Sequence, residues 1–182
     1  MESDQHYNVL FLCTRNATRG ILAEALLNLR GAARFHAFSA GTQPAGAVNG
    51  HVLALLERLA IPSKGLRSKS WDEYAADSAP QMDFIFVLCD RAAAEQCPQW
   101  PGHPVTAQWS IPDPSHAEGT EVEKAAAYRN VFNMLERRIS LFLSLPLESI
   151  DRLSMVHHLD AIGRDTEHRA ASALLHPSQR EA

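Results

Sequence analysis

The sequence has no apolar run long enough to cross a bilayer, and Met1 to Tyr7 are polar and acidic where a secretory signal needs a basic segment followed by an apolar one. A cytoplasmic protein away from membranes is expected. There is no dense Lys/Arg block either. Seventeen basic and twenty-one acidic residues leave a formal charge of −4, so nothing tracks a phosphate backbone and nucleic acid is not an expected partner. Neither Gly-x4-Gly-Lys-Ser/Thr nor Gly-x-Gly-x2-Gly occurs, which removes the signatures of a nucleoside-triphosphate loop and of a dinucleotide site. No bound cofactor is expected. Of nine histidines none stands at a ligand spacing from a cysteine, and His157 and His158, adjacent on a helix, diverge around it, so no metal is expected. Three cysteines in a reducing compartment argue against a structural disulfide framework and leave metal binding, catalysis or redox exchange as their use. With 182 residues, no internal repeat and no Gly/Ser linker, one domain over residues 1–163 is expected, followed by a loosely ordered polar tail over 164–182. A monomer is the default expectation.

What the chain does have is alternation. Strand-like runs at Asn8 to Leu12, Phe35 to Ala40, Phe84 to Leu88 and Val105 to Trp109, with helical patterns between them, predict an α/β fold around a parallel sheet. Leu22, Ala25, Leu26 and Leu29 share one face of a first helix; Val52, Leu53, Leu56 and Leu59 share one face of a second, which stops before Pro62. Ser70-Trp71-Asp72-Glu73 has capping-box spacing and predicts a short third helix. Val122 to Leu143 predicts a long fourth with Ala126, Phe132, Leu135, Ile139 and Phe142 inward, ended by Pro146. A fifth is expected over Ser149 to Ile162, stopping at Gly163.

Between the first strand and the first helix stands Cys13-Thr14-Arg15-Asn16-Ala17-Thr18-Arg19. A strand that turns through a short loop into a helix aims successive backbone N–H groups, and the positive end of the helix dipole, at one point. A tetrahedral oxyanion fits there, held by the loop Thr14, Arg15, Asn16, Ala17 and Thr18 and closed by the planar donor fork of Arg19. The same donors stabilise a thiolate and lower a cysteine pKa from about 8.5 to roughly 3.5–7.5 at such positions. Cys13 is therefore the candidate nucleophile.

Cys89 ends the buried run Phe84 to Leu88, and Cys97 follows eight positions later. Functional loops gather at the carboxyl ends of parallel strands, so Cys89 is expected on the same edge as Cys13, and the three thiols together suggest a relay. Asp113, between Pro112 and Pro114 beyond the last strand, projects from that edge as well and is a candidate general acid that protonates a leaving oxygen.

These residues resemble a known family. Val9 to Arg19, Phe38-Ser39-Ala40-Gly41-Thr42, Leu66 to Glu73, Cys89-Asp90, Cys97 to Gly102 and Ile111-Pro112-Asp113-Pro114 together resemble the arsenate reductases built on the low-molecular-weight phosphotyrosine phosphatase fold, over about Tyr7 to Gly163. The resemblance implies a three-layer α/β architecture with a four-stranded parallel sheet flanked by helices. It also implies a mechanism: Cys13 attacks arsenate, Asp113 protonates the departing oxygen, and the loop amides and Arg19 hold the adduct. Cys89 then attacks Cys13, arsenite leaves as a Cys13–Cys89 disulfide forms, and Cys97 resolves it to Cys89–Cys97. Thioredoxin, or another thiol donor, would reduce that last disulfide.

The chain departs from the family loop at three places. Arg15 stands where Gly is usual, Ala17 where Ser is usual, and Gly20 where a Ser helps hold the nucleophile as thiolate. Arg15 is thus expected to strain or reshape the loop, and its charge to make up for the missing hydroxyls. A phosphotyrosine phosphatase acting through a phosphocysteine would use Cys13, Arg19 and Asp113 in the same way, but such enzymes usually carry an aromatic after Asp-Pro, where this chain has Ser115, and have no need of Cys89 and Cys97. An inactive oxyanion-binding domain is the third reading.

Overall fold

Four short apolar segments become parallel strands: β1 (Tyr7–Cys13), β2 (Phe35–Gly41), β3 (Phe84–Val87) and β4 (Val105–Gln108). In the computed structural model, which describes residues 6–89 and 98–175, they pair in the order β2-β1-β3-β4. Val9, Leu10, Phe11 and Leu12 of β1 are fully buried, as befits an interior strand of a parallel sheet covered on both faces. The register sets Cys13 beside Gly41 of β2 and Leu12 beside Val87 of β3. The carboxyl ends of the three strands thereby share one edge.

The connections are helical: α1 (Arg19–Arg30), α2 (Gly50–Arg58), α3 (Asp72–Ala75), α4 (Glu121–Leu143) and α5 (Arg152–Leu175), with a 3₁₀ turn at Pro114–His116. The larger core lies under α1, α2, α4 and α5, where Phe86 stacks on Trp109 at 3.9 Å and Phe142 packs edge-on against both. A smaller core of Leu10, Leu12, Ala40, Tyr74, Met82 and Ile85 covers the opposite face of the sheet. The three-layer architecture with four parallel strands is the one expected.

Some local expectations are overturned. Leu53 is 42% exposed, because the buried face of α2, which packs against α1 and α4, is Val52, Leu55 and Leu56, and one further residue turns a side chain about 100° away from it. Leu29 is 47% exposed because the last turn of α1 emerges from the core at residues 28–30. Ala126 faces solvent, since the inward stripe of α4 runs through Tyr128, Val131, Phe132, Leu135, Ile139 and Phe142. Glu73 does not close a capping box on Ser70; its carboxylate pairs with both terminal nitrogens of Arg67 at 2.8 and 2.6 Å. A capping box forms instead at Thr120 and Glu123, ahead of α4.

Gly163 does not stop α5, which continues to Leu175. A Cβ at that position would sit 2.5 Å from the carbonyl oxygen of Gln108 and 3.1 Å from the Trp109 ring. The glycine is there so that α5 can lie against the end of β4, a contact that Trp109 reinforces by donating its indole N–H to the Leu159 carbonyl at 3.0 Å.

Candidate active site

The turn from β1 into α1 is held from outside by its own carbonyls. Those of Cys13, Thr14, Arg15 and Ala17 accept from the amides of Thr42, Gln43, Ala45 and Asn49 at 2.8–3.1 Å. With the carbonyls committed to that neighbouring segment, the loop amides are left for whatever lies inside it. Gly41 makes the close approach possible: a Cβ there would sit 2.5 Å from the Thr14 carbonyl oxygen and 3.0 Å from Asn16.

The loop's one left-handed residue is Asn16, at φ 46°, a conformation that Asn tolerates better than most side chains. Its buried amide is clamped at both ends, donating to the Ser39 hydroxyl at 2.9 Å and accepting from the Lys69 amide at 2.9 Å. Arg15 has no positive φ, so the Gly usual at that place is not required and no strain follows from its replacement. The Arg15 side chain is exposed at the mouth of the cleft.

Beneath Asn16 lies a buried polar cluster with no signal in the sequence beyond the general likeness of the segments containing Ser39 and Lys69. Ser39 donates to Glu24, and the Lys69 ammonium lies 3.5 Å from Glu24 and 3.0 Å from the Arg67 carbonyl oxygen. The Lys69 and Glu24 side chains are 4% and 12% exposed. Burial lowers the Lys69 pKa, and Glu24 is the main influence holding it up.

Cys13, 2% exposed and a free thiol, stands at the centre. Burial pushes its pKa up; the Gly20 amide, the Arg19 guanidinium and the Asn16 amide pull it down, and burial prevails. Burial thus works against the expected thiolate, and the charge that pulls the sulfur's pKa down is that of Arg19 rather than Arg15. Gly20 takes part through its backbone: a Cβ there would lie 3.3 Å from the sulfur, and with none present the amide is the donor.

The anticipated convergence of Arg19 and Asp113 is present. Arg19 donates from one terminal nitrogen to the Ile111 carbonyl at 3.1 Å and from the other to the Asp113 carboxylate at 3.3 Å. The other Asp113 oxygen accepts from the Ser115 amide at 2.9 Å, so the turn that follows it and the ion pair both fix the carboxyl. Burial raises the Asp113 pKa, but Ser115, Arg19 and His116 together outweigh it, so the group is held below its ordinary range.

Cys89 is buried just beyond β3, and the Thr14 hydroxyl lies 3.3 Å from its sulfur. Cys97 and Asp90 lie outside the described residues. Over Cys13 opens a cleft of about 410 Å³, lined by the apolar Ala45, Ala47 and Val48 and by Asp113, Ser115 and His116.

Such a cradle, with its acid and second thiol, has counterparts. The family model of the low molecular weight phosphotyrosine protein phosphatases matches residues 8–154. An arsenate reductase of Halalkalibacterium halodurans is 31% identical over 134 residues, which cover 74% of this chain and 93% of that one. The crystal structure of an arsenate reductase from Archaeoglobus fulgidus, 27% identical, superposes with a TM-score of 0.58 over 75% of this chain and 99% of that chain. A low molecular weight protein tyrosine phosphatase from T. tengcongensis, 20% identical, shares the fold with a TM-score of 0.60 over 74% of this chain and 95% of its own. This chain belongs to the low molecular weight phosphotyrosine protein phosphatase family, in the company of its arsenate reductases.

Proposed function

We propose that the protein reduces arsenate to arsenite by a thiol relay that begins at Cys13. The observation that carries this reading is the placing of two buried cysteines, Cys13 and Cys89, at the ends of neighbouring strands with the Thr14 hydroxyl against the second sulfur. A phosphatase has no use for a thiol there.

Burial favours the Cys13 thiol over the thiolate, so the sulfur ionises against the substrate. A dianionic oxyanion in the cradle takes the thiol proton as the sulfur attacks arsenic, and the loop amides and Arg19 hold the oxygens. The same negative charge favours the protonated form of Asp113, against the pull of Ser115, Arg19 and His116, and Asp113 then delivers its proton to the oxygen that leaves as water. Cys89 attacks the Cys13 sulfur, a disulfide forms, and the electron pair of the broken S–As bond reduces As(V) to As(III), which departs as arsenite. Cys97 displaces Cys13 from Cys89, and a dithiol reductant, thioredoxin by preference, reduces the Cys89–Cys97 disulfide. No step calls for a resident cofactor, and the protein works as a monomer. Among the described residues no helix is long and apolar enough to cross a membrane.

The cleft supports a second reading. Beyond the cradle its wall of Ala45, Ala47 and Val48 is apolar and suits the organic part of a phosphate monoester.

Both readings are tested by following NADPH oxidation in the presence of thioredoxin and thioredoxin reductase on addition of arsenate, with Cys13→Ser, Cys89→Ser and Cys97→Ser variants beside the unaltered protein. Arsenate-dependent oxidation that disappears in all three is expected. Hydrolysis of p-nitrophenyl phosphate without arsenate-dependent oxidation would favour the phosphatase. Oxyanion binding with neither activity would leave the third reading.

A further inference from the structure

The inward stripe of α4 is apolar but for one position. Arg138, three residues after Leu135 and four before Phe142, stands in that stripe and is 0% exposed. A guanidinium buried there loses its hydration, a cost that an apolar side chain would not carry, so the reason for a charge at this point lies in what it holds. One of its terminal nitrogens donates to the Ser110 carbonyl at 3.0 Å.

Ser110 begins the segment that carries Asp113, and that segment is pinned residue by residue. The Trp109 amide donates to the Val87 carbonyl at 2.8 Å and the Ile111 amide to the Leu88 carbonyl at 2.9 Å, which ties both to the end of β3. Between and after them the carbonyls are taken by two arginines: that of Ser110 by Arg138, and that of Ile111 by Arg19 at 3.1 Å. Pro112 and Pro114 then flank Asp113 and fix their own φ on either side of it. The second terminal nitrogen of Arg19 meets the Asp113 carboxylate at 3.3 Å, so one guanidinium reads the backbone at Ile111 and the acid together. A shift of the Ser110 carbonyl is therefore passed along a stiff stretch of three residues to the carboxyl.

We propose that Arg138 is a positioning residue for the acid: from within the core it fixes the Ser110 carbonyl, and through residues 110–113 it sets where the Asp113 carboxyl stands in the cleft that Cys13 and Arg19 also line. This rests on the reading of Asp113 as the general acid of the reaction that begins at Cys13. Arg138 acts through the loop, and the oxyanion cradle of α1 does not depend on it. A misplacement of about 1 Å can slow a step by up to about 10²-fold, so a small movement of the loop is enough to be measured.

The test compares Arg138→Met, which keeps the length of the side chain without its donors, with Arg138→Lys, which keeps a donor. The readouts are the single-turnover rate of arsenic adduct formation on Cys13 by rapid quench, inorganic phosphate affinity by calorimetry, and the denaturant midpoint. Arg138→Met should slow adduct formation about ten-fold with phosphate affinity within about two-fold of its starting value, and Arg138→Lys should recover part of the rate. In an Asp113→Asn background, Arg138→Met should slow the step no further, because a step that no longer uses the acid is indifferent to where the side chain stands. The denaturant midpoint, by contrast, should respond to Arg138→Met in both backgrounds. Should Arg138→Met fail to fold, Arg138→Lys carries the same comparisons. An unaltered rate in the single variants would overturn the proposal. So would an equal slowing with and without the Asp113 carboxyl, or a phosphate affinity that falls in step with the rate. An Asp113→Asn variant that forms the adduct as fast as the unaltered protein would instead remove the reading of Asp113 as the acid, and the proposal with it.

Discussion

The hydroxyl of Thr14 lies 3.3 Å from the sulfur of Cys89, so the residue directly after the nucleophile touches the second thiol. A hydroxyl donating to a thiolate stabilises it as it forms, and an ordinary hydrogen bond is worth about 1 kcal/mol net. Thr14→Val should therefore slow formation of the first disulfide by roughly five-fold while leaving phosphate affinity within about two-fold of its starting value. Single-turnover quench experiments with mass spectrometry would separate the two effects, and an equal loss in both would show that Thr14 shapes the cradle instead.

Gly41→Ala should damage stability and binding together. Its Cβ would fall 2.5 Å from the Thr14 carbonyl oxygen and 3.0 Å from the Asn16 backbone, neither the end of a flexible side chain. Overpacking of this kind costs about 1–3 kcal/mol, and the loop is the part that must move to relieve it. A denaturant midpoint lowered accordingly, with phosphate affinity down at least about ten-fold, is the expected result; an intact affinity would place the relief in β2.

Removing one partner of a buried ion pair leaves an uncompensated charge, at about 3–5 kcal/mol when the pair is fully enclosed. Glu24→Gln keeps a hydrogen-bonding group for Ser39, so a loss near the low end, about 3 kcal/mol, is expected beside Lys69. Lys69→Met in addition should recover part of it. The sign of the pH dependence follows from burial, which lowers the Lys69 pKa in the folded state. The unfolded chain then binds the proton more readily, so the deficit of Glu24→Gln should shrink as pH rises toward 10.5, the ordinary lysine value. Urea melts across that range would show it.

Asp113 is held below its ordinary value of 3.8, because Ser115, Arg19 and His116 together favour the carboxylate over the effect of burial. A carboxyl lowered on folding contributes stability above its unfolded pKa and loses it as pH falls through the folded one. Asp113→Asn should therefore be less stable than the unaltered protein at neutral pH, and the gap should close in acid below that ordinary value. Loss of the acid should also reduce the first chemical step by about 10²–10⁴-fold with phosphate binding retained. Rapid-quench measurement of the arsenic adduct on Cys13 checks the kinetic half, and acid titration of the melting curve the other.

Much of the site was legible because it is local. Cys13 to Arg19 is one turn between a strand and a helix, and the donors it presents follow from that turn alone. Their places beyond the last two strands made Cys89 and Asp113 candidates, the likeness to a family gave the order of their steps, and the fold brought Asp113 to Arg19 and Cys89 to Thr14. Where reading by local signal failed, a distant contact had outbid it. Gly163 reads as a helix stop until β4 lies against it; Ser70 and Glu73 read as a cap until Arg67 claims the glutamate. Leu53 and Ala126 have the spacing of a buried face, but only the neighbouring layer decides how wide that face is.

By itself the sequence determined the alternation of strands and helices, the buried central strand and the oxyanion loop, because each depends on residues within a few positions of one another. Only the tertiary structure decided that Glu24, Ser39 and Lys69 would support Asn16. It also decided that burial would push the Cys13 pKa up. Desolvation and buried hydrogen bonds are set by what other segments exclude or supply, and no spacing along the chain records them.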